Sequence, residues 1–194
     1  MLSTLIAVMV GTVSGLVPEW LDALLMRLTE LILCIPSLLI IVLAQSFLGK
    51  ATVFSISLSI GVTSWTGIAK VVRAEVRQLQ ASEYVVASKS MGAGFFHILR
   101  RHLLPNFMSS ILFMVIMNVR NAIAMEAALS FIGLGLPLEI ISWGSILSLS
   151  QQSLLAGAWW ITLIPGIYLI VTLYCMTRVG EYLRRNLNQE YRNL

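Results

Sequence analysis

Uncharged, largely apolar residues run in long blocks along this chain, and the charged ones gather between them. Leu2 to Val17 forms the first block, stopped by Pro18-Glu19. A second starts near Leu21 and runs to Leu48, with Asp22, Arg27 and Glu30 in its first turns and no charge from Leu31 onward. A third covers Val53 to Val72 and carries Ser55, Ser57, Ser59, Thr63 and Ser64 among its apolar residues. A fourth begins at Pro105 and reaches about Met125. Residues 126–157 are mixed, rich in Gly and Ser, with Pro137. The last block is Ala158 to about Met176, followed by a polar tail over 177–194. Uncharged runs of about twenty residues predict transmembrane helices. They are too long for strands and lack period-2 alternation. Helices satisfy their own backbone in lipid, so the pattern predicts an all-α integral membrane protein, one transmembrane domain over 1–194. The first block is short for a span and relies on bilayer thinning or snorkelling flanks.

Composition agrees: 58% of the 194 residues are hydrophobic and 11% charged, against about 25% charged in soluble domains. A water-soluble enzyme, a disordered tail and a disulfide scaffold are excluded. The net charge of +4 does not make a nucleic-acid binder, because the basic residues sit between apolar blocks, where they orient a membrane protein. Ten of the thirteen Lys and Arg fall in two places. Lys70, Arg73, Arg77, Lys89, Arg100 and Arg101 lie between the third and fourth blocks, and Arg178, Arg184, Arg185 and Arg192 lie in the tail. Positive residues stay inside, so the 70–102 segment and the C-terminus are expected in the cytoplasm. Walking back through about five spans puts Met1 outside, and reads as an N-terminally truncated chain lacking an upstream span.

Cys34 and Cys175 lie in apolar blocks and read as free, buried thiols. His97 and His102 flank Arg100-Arg101 without the Cys or acidic neighbours a metal site needs, so no metal is expected. The apolar start lacks a basic n-region and a small-residue cleavage pattern.

The 70–105 loop is longer than a simple connection, which needs only about four residues. Ser82 is placed to cap a short helix and Glu83 to favour its positive end. Gly92 stands where that helix stops, and Pro105 where a new span starts. Ala87, Ser88 and Gly92 leave room for another protein to approach, while Tyr84, Met91, Phe95 and Phe96 offer apolar anchors. The alternative is an interfacial helix resting on lipid headgroups.

This loop resembles the EAA loop of ATP-binding-cassette importer permeases. Val86-Ala87-Ser88 stands at the triplet, Gly92 at the glycine and His102-Leu103-Leu104-Pro105 at the ending, with Glu83-Tyr84-Val85 matching the family's Glu-Tyr-Val. Leu21–Leu28 with Ile35-Pro36-Ser37-Leu38-Leu39 resembles the inner signature of the dipeptide, oligopeptide and nickel branch, second-permease type. Ala127–Gly135 with Ser142-Trp143-Gly144 resembles its outer signature, and Ala158-Trp159-Trp160 with Pro165-Gly166 its last span. The likeness covers nearly the whole chain. In the tail, Thr177-Arg178-Val179-Gly180-Glu181 replaces the usual Asn-x-x-Gly-Asp, and Leu136 to Ile141 lack the proline-rich stretch.

The resemblance implies a type I importer permease, six-spanned in the full family, in the cell membrane of a prokaryote. Its implied partners are a second permease subunit, two cytoplasmic ATPases and an extracytoplasmic solute-binding protein. Glu83, Tyr84, Val86, Ala87, Ser88, Gly92, Leu104 and Pro105 would meet the ATPase. The chain holds no Gly-x-x-x-x-Gly-Lys-Ser/Thr, so no cofactor is expected here and ATP falls to the partners. Two other classes compete. An intramembrane enzyme would need paired acids, a Ser–His pair or metal ligands at membrane depth; Glu30, Arg120 and Glu126 are too scattered. A passive channel or structural membrane protein would not need the EAA-type helix. Asn118, Asn121 and Met125 share one face of the fourth span, with Arg120 beside them and Glu126 following. These read either as interhelical hydrogen bonding with a snorkelled Arg or as a solute path. A lone cation and a lone anion suit peptides, and a nickel or metal-chelate path is the alternative.

Overall fold

The computed structural model describes residues 2–49, 51–92, 94 and 104–192. Helices account for all the regular structure among them: α1 (Leu2–Leu16), α2 (Glu19–Cys34), α3 (Ser37–Leu48), α4 (Val53–Thr63), α5 (Trp65–Gln80), α6 (Glu83–Ser90), α7 (Leu104–Phe131), α8 (Trp143–Leu155) and α9 (Trp160–Arg192). They divide into two units, one of 1–34, 64–115 and 181–194, the other of 35–63 and 116–180.

Five expected boundaries move. The block 21–48 is two helices, because Pro36 drives Ile35 out of the helical region and starts α3 instead. The block 53–72 is interrupted at Ser64, just after the Thr63 hydroxyl donates back to the carbonyls of Ser59 and Ile60, a bond that competes with the helical ladder. Beyond the interruption, α5 runs on to Gln80, so the first eleven residues of the 70–105 loop are helix. The fourth span continues to Phe131 and the polar tail is helical to Arg192. Among the described residues two stretches, Ser110–Phe131 and Trp160–Asn186, are long and apolar enough to cross a membrane; α2 with α3 make a third if the broken pair is one span. α1 and α4 are shorter apolar helices. At about 1.5 Å per residue α1 is near 22 Å long, below the ~30 Å hydrocarbon thickness. Cys34 and Cys175 are free as expected but exposed, not buried; each lies on an outward face of its helix, which apolar surroundings in the sequence do not reveal.

The first unit is built on α1 against α5. The buried residues of α1 are Ser3, Thr4, Ala7, Gly11, Ser14 and Gly15, while Leu2, Leu5, Met9 and Val13 are exposed. Small residues face the partner and large apolar ones face outward, as lipid-embedded helices require. A Cβ on Gly11 would sit 2.6 Å from the Ala69 carbonyl oxygen and 2.7 Å from the Val72 Cβ; one on Gly15 would sit 2.7 Å from Val76 Cγ1. Val72, Val76, Val85 and Met114 form the buried core around that contact, with Val8, Leu16, Ile68, Leu79 and Ile111 packed on it.

The second unit centres on Ile41, Ile56, Ile60 and Leu129, with Leu38, Val42, Ala122 and Met125 packed around them. Between α3 and α4 lies a buried polar seam. Gln45 Nε2 donates to Ser59 Oγ at 3.2 Å, and Ser55 Oγ donates to Gln45 Oε1 at 3.2 Å. Thr52 and Ser55 cap α4 reciprocally, each side chain accepting from the other's backbone N–H.

The Gly11 contact gives a direct test. Gly11→Ala should lower the stability of the detergent-solubilised protein by about 1–3 kcal/mol through overpacking, read as a drop in thermal midpoint. Gly67→Ala, where nothing lies within 4 Å of the new Cβ, should leave the midpoint unchanged or raise it.

Candidate functional site

α5 ends at Gln80, and the chain turns at Ala81-Ser82 into α6. Ser82 occupies the expected cap position, but its hydroxyl donates back to the Leu79 carbonyl, which also accepts from the Ser82 N–H. The cap reading is thus corrected: the hydroxyl fixes the corner, not the free N–H groups of α6. Val85 is fully buried in the α1/α5 core and Ser88 is 6% exposed. Glu83, Val86, Ala87, Ser90 and Met91 face outward. Two of the triplet residues, Val86 and Ala87, therefore stand free for another protein. Ser88 does not, because the i, i+3 spacing from Val85 turns it inward. Met91, 81% exposed, is an anchor of the kind expected.

Gly92 has φ +83° and no atom within 4 Å of a Cβ placed there. The glycine stands at the expected stop of the helix, in a conformation that L side chains rarely adopt, and the space beside it is open. α7 begins at Leu104, one residue before Pro105, so the proline sits in the first turn where its missing N–H costs nothing. The side chains of Tyr84, Leu104 and Pro105, and the segment holding Phe95, Phe96, His97, Arg100, Arg101 and His102, lie outside the described residues.

Sequence reading missed the strongest polar cluster. Asp22 is 3% exposed. Its carboxylate accepts the Nε and Nη2 of Arg73 as a fork, the Nη2 of Arg77 at 2.7 Å, and the hydroxyl of fully buried Ser14. Lys70 reaches Glu30 at 3.5 Å, and Gln80 Nε2 donates to the Gly15 carbonyl at 3.3 Å. The signal was available, since an acid in an apolar block demands a partner. Lys70, Arg73 and Arg77, counted for orientation, thus have acidic partners. Arg184 lies over the Phe113 ring at 5.2 Å, and Glu75 accepts from Ser110 at 2.8 Å.

Of the four candidate pathway residues on α7, Arg120 and Asn121 are bonded to each other and Glu126 lies apart from them. Asn118 is half-buried and Asn121 exposed. Arg120 Nη1 donates to Asn121 Oδ1 at 3.3 Å, while its Nε is enclosed without a hydrogen-bond partner. Six residues place Glu126 on a different face from Arg120, so they do not form a pair. Glu126 Oε1 instead accepts from Ser130 Oγ at 2.7 Å and Ser142 Oγ at 2.8 Å. Ser130 Oγ in turn accepts the Leu136 N–H, and Ser142 caps α8 by accepting from Ser145 N. A Cβ on Gly135 would fall 1.9 Å from Ser130 Oγ, and one on Gly144 2.5 Å from Ser130 Cβ. The 126–157 segment is therefore a turn folded back on the end of α7, followed by a 13-residue helix. Glu126 belongs to that bracket.

These residues match a known family model, the binding-protein-dependent transport system inner membrane component, over residues 7–189. The chain belongs to that family. Its relatives include the dipeptide transport system permease protein DppC of Bacillus subtilis, 35% identical over 97% of this chain and 58% of the relative. The oligopeptide transport system permease protein OppC of the same organism is 35% identical over 98% of this chain and 62% of its own length. The chain thus spans about three-fifths of the curated relatives it matches. Among solved structures, an inward-facing form of the MetNI methionine ABC transporter superposes with a TM-score of 0.68 over 95% of this chain and 91% of that one, at 16% identity. That likeness carries the all-helical importer-permease fold.

Within this inner membrane component, Glu126→Ala should destabilise the 126–144 bracket, since hydrogen bonds to a charged group contribute about 1.5–3 kcal/mol each. Glu126→Gln keeps an acceptor oxygen and should lose less. Limited proteolysis between Phe131 and Ser142 measures it. Equal resistance in all three proteins would mean the carboxylate does not hold the turn.

Proposed function

We propose that this chain is a transmembrane permease subunit of an ATP-driven importer, forming part of the path for peptides and coupling to cytoplasmic ATPases through α6. The observation that carries the reading is α6 itself. It presents Glu83, Val86, Ala87 and Met91 outward, is held by buried Val85, and ends in a positive-φ glycine. This is the part of the chain that matches the EAA pattern. Of the two valines of α6, Val85 is buried in the protein and Val86 faces outward, so the helix is tied to the bundle while keeping an outward face.

In this reading a binding protein delivers solute outside, and a second permease completes the path. Two ATPases bind and hydrolyse ATP, and this chain does neither. The 70–105 loop and the 177–194 tail are cytoplasmic, and the protein resides in the cell membrane of a prokaryote. The relatives named for dipeptide and oligopeptide transport support peptides as cargo over nickel. Asn118, Arg120 and Asn121 are the candidates to line the path; Glu126 shapes its neighbourhood through the bracket.

Gly92→Leu in the complete transporter tests it. A bulky residue at positive φ costs about 1–2 kcal/mol, spent in the exposed turn and not in the helical core. Membrane levels should be normal, ATPase co-purification reduced, and hydrolysis stimulated by peptide-loaded binding protein lost. Gly92→Asn, which tolerates this conformation better, should retain more of both. Wild-type uptake with unchanged ATPase binding in Gly92→Leu would mean that α6 is only a surface helix.

A further inference from the structure

Beyond the helix that meets the ATPase, a permease needs something that makes the membrane helices follow it. We propose that Asp22, Arg73 and Arg77 are that device: a buried ionic clamp that makes α1, α2 and the end of α5 move as one body with α6. The proposal rests on the coupling role given to α6 above.

Two attachments join α6 to α5. Val85 inserts among Val72 and Val76, and the Leu79 carbonyl holds both donors of Ser82 at the corner. A push on α6 is therefore delivered to the last two turns of α5. Those same turns carry Arg73, Arg77 and Gln80, at i, i+4 and i+7, on one face. All three reach across to residues 14–22: Arg73 and Arg77 to Asp22, Gln80 to the Gly15 carbonyl. Ser14, on α1, joins the same carboxylate. One buried group thus ties the ends of three helices, its two arginines within about two and a half turns of the corner. A fork from Arg73 fixes orientation as well as distance, and a helix so held does not slide or rotate alone. Glycine packing by itself would leave α1 and α5 close but able to slip, because van der Waals contact has no direction.

The clamp residues act through α6, so they are positioning residues. Their variants should separate hydrolysis from transport without removing the ATPase. The test uses the complete transporter in liposomes, with its binding protein and short peptides from a casein digest as the probe. In Asp22→Asn the ATPase should co-purify normally and basal hydrolysis should stay at or above wild type. Peptide taken up per ATP hydrolysed should fall by at least about fivefold, the low end of coupling between linked sites. Arg77→Gln keeps the Arg73 fork and is the milder variant should Asp22→Asn assemble poorly; it should show the same fall to a smaller degree. Asp22→Glu, which keeps the charge, should recover part of the coupling. A wild-type ratio of uptake to hydrolysis per assembled complex in Arg77→Gln and Asp22→Asn would overturn the clamp. That result, with Gly92→Leu still losing ATPase binding, would leave the coupling role of α6 standing. Unchanged ATPase binding in Gly92→Leu would remove that role first.

Discussion

Hydrocarbon gives apolar side chains no reason to leave it, so the helices of this chain are held by close backbone approach and by polar bonds that lipid cannot replace. The contact between α1 and α5 shows both. Gly11 and Gly15 let the α5 backbone come within the space a Cβ would fill, and Ser14 between them reaches the Asp22 carboxylate. The buried core of Val72, Val76, Val85 and Met114 forms around that approach. A buried carboxylate left without its partners is strongly destabilising, so Asp22 is tolerable only because Arg73 and Arg77 arrive with α5.

The second unit uses the same two means at different places. Gln45, Ser55 and Ser59 bond one another between α3 and α4, where a side chain facing lipid would have found no partner. At the far end of α7, Glu126 gathers Ser130 and Ser142, and Gly135 and Gly144 admit Ser130 where any side chain would collide. Ser130, Gly135, Ser142 and Gly144 each take a place in this contact. The residues serve one folded turn.

Charge has a double life in such a chain. Lys70, Arg73 and Arg77 bias the orientation of the third block during insertion and then, once folded, meet Glu30 and Asp22. Counting them from sequence captures the first role only. The second appears when residues 51 and 55 positions apart come together.

What the sequence determined by itself was the class of solvent, the helical character and the short helix of the 70–105 loop. Those rest on local properties: run length, the absence of charge, the glycine at 92 and the proline at 105. The positive φ of Gly92 was legible for the same reason, because a helix that must stop needs a residue free of Cβ. Tertiary structure alone decided which faces are buried. An apolar run has no polar side to mark its outward face, so α1 gave no hint that its small residues turn inward, nor Cys34 and Cys175 that they turn outward. Ser88 and Glu126 were read as open to partners or solute until packing turned one inward and bracketed the other. The helix breaks at Ile35-Pro36 and Ser64, and the helical tail to Arg192, likewise follow from which backbone groups find partners in the folded chain, a question no window of sequence contains.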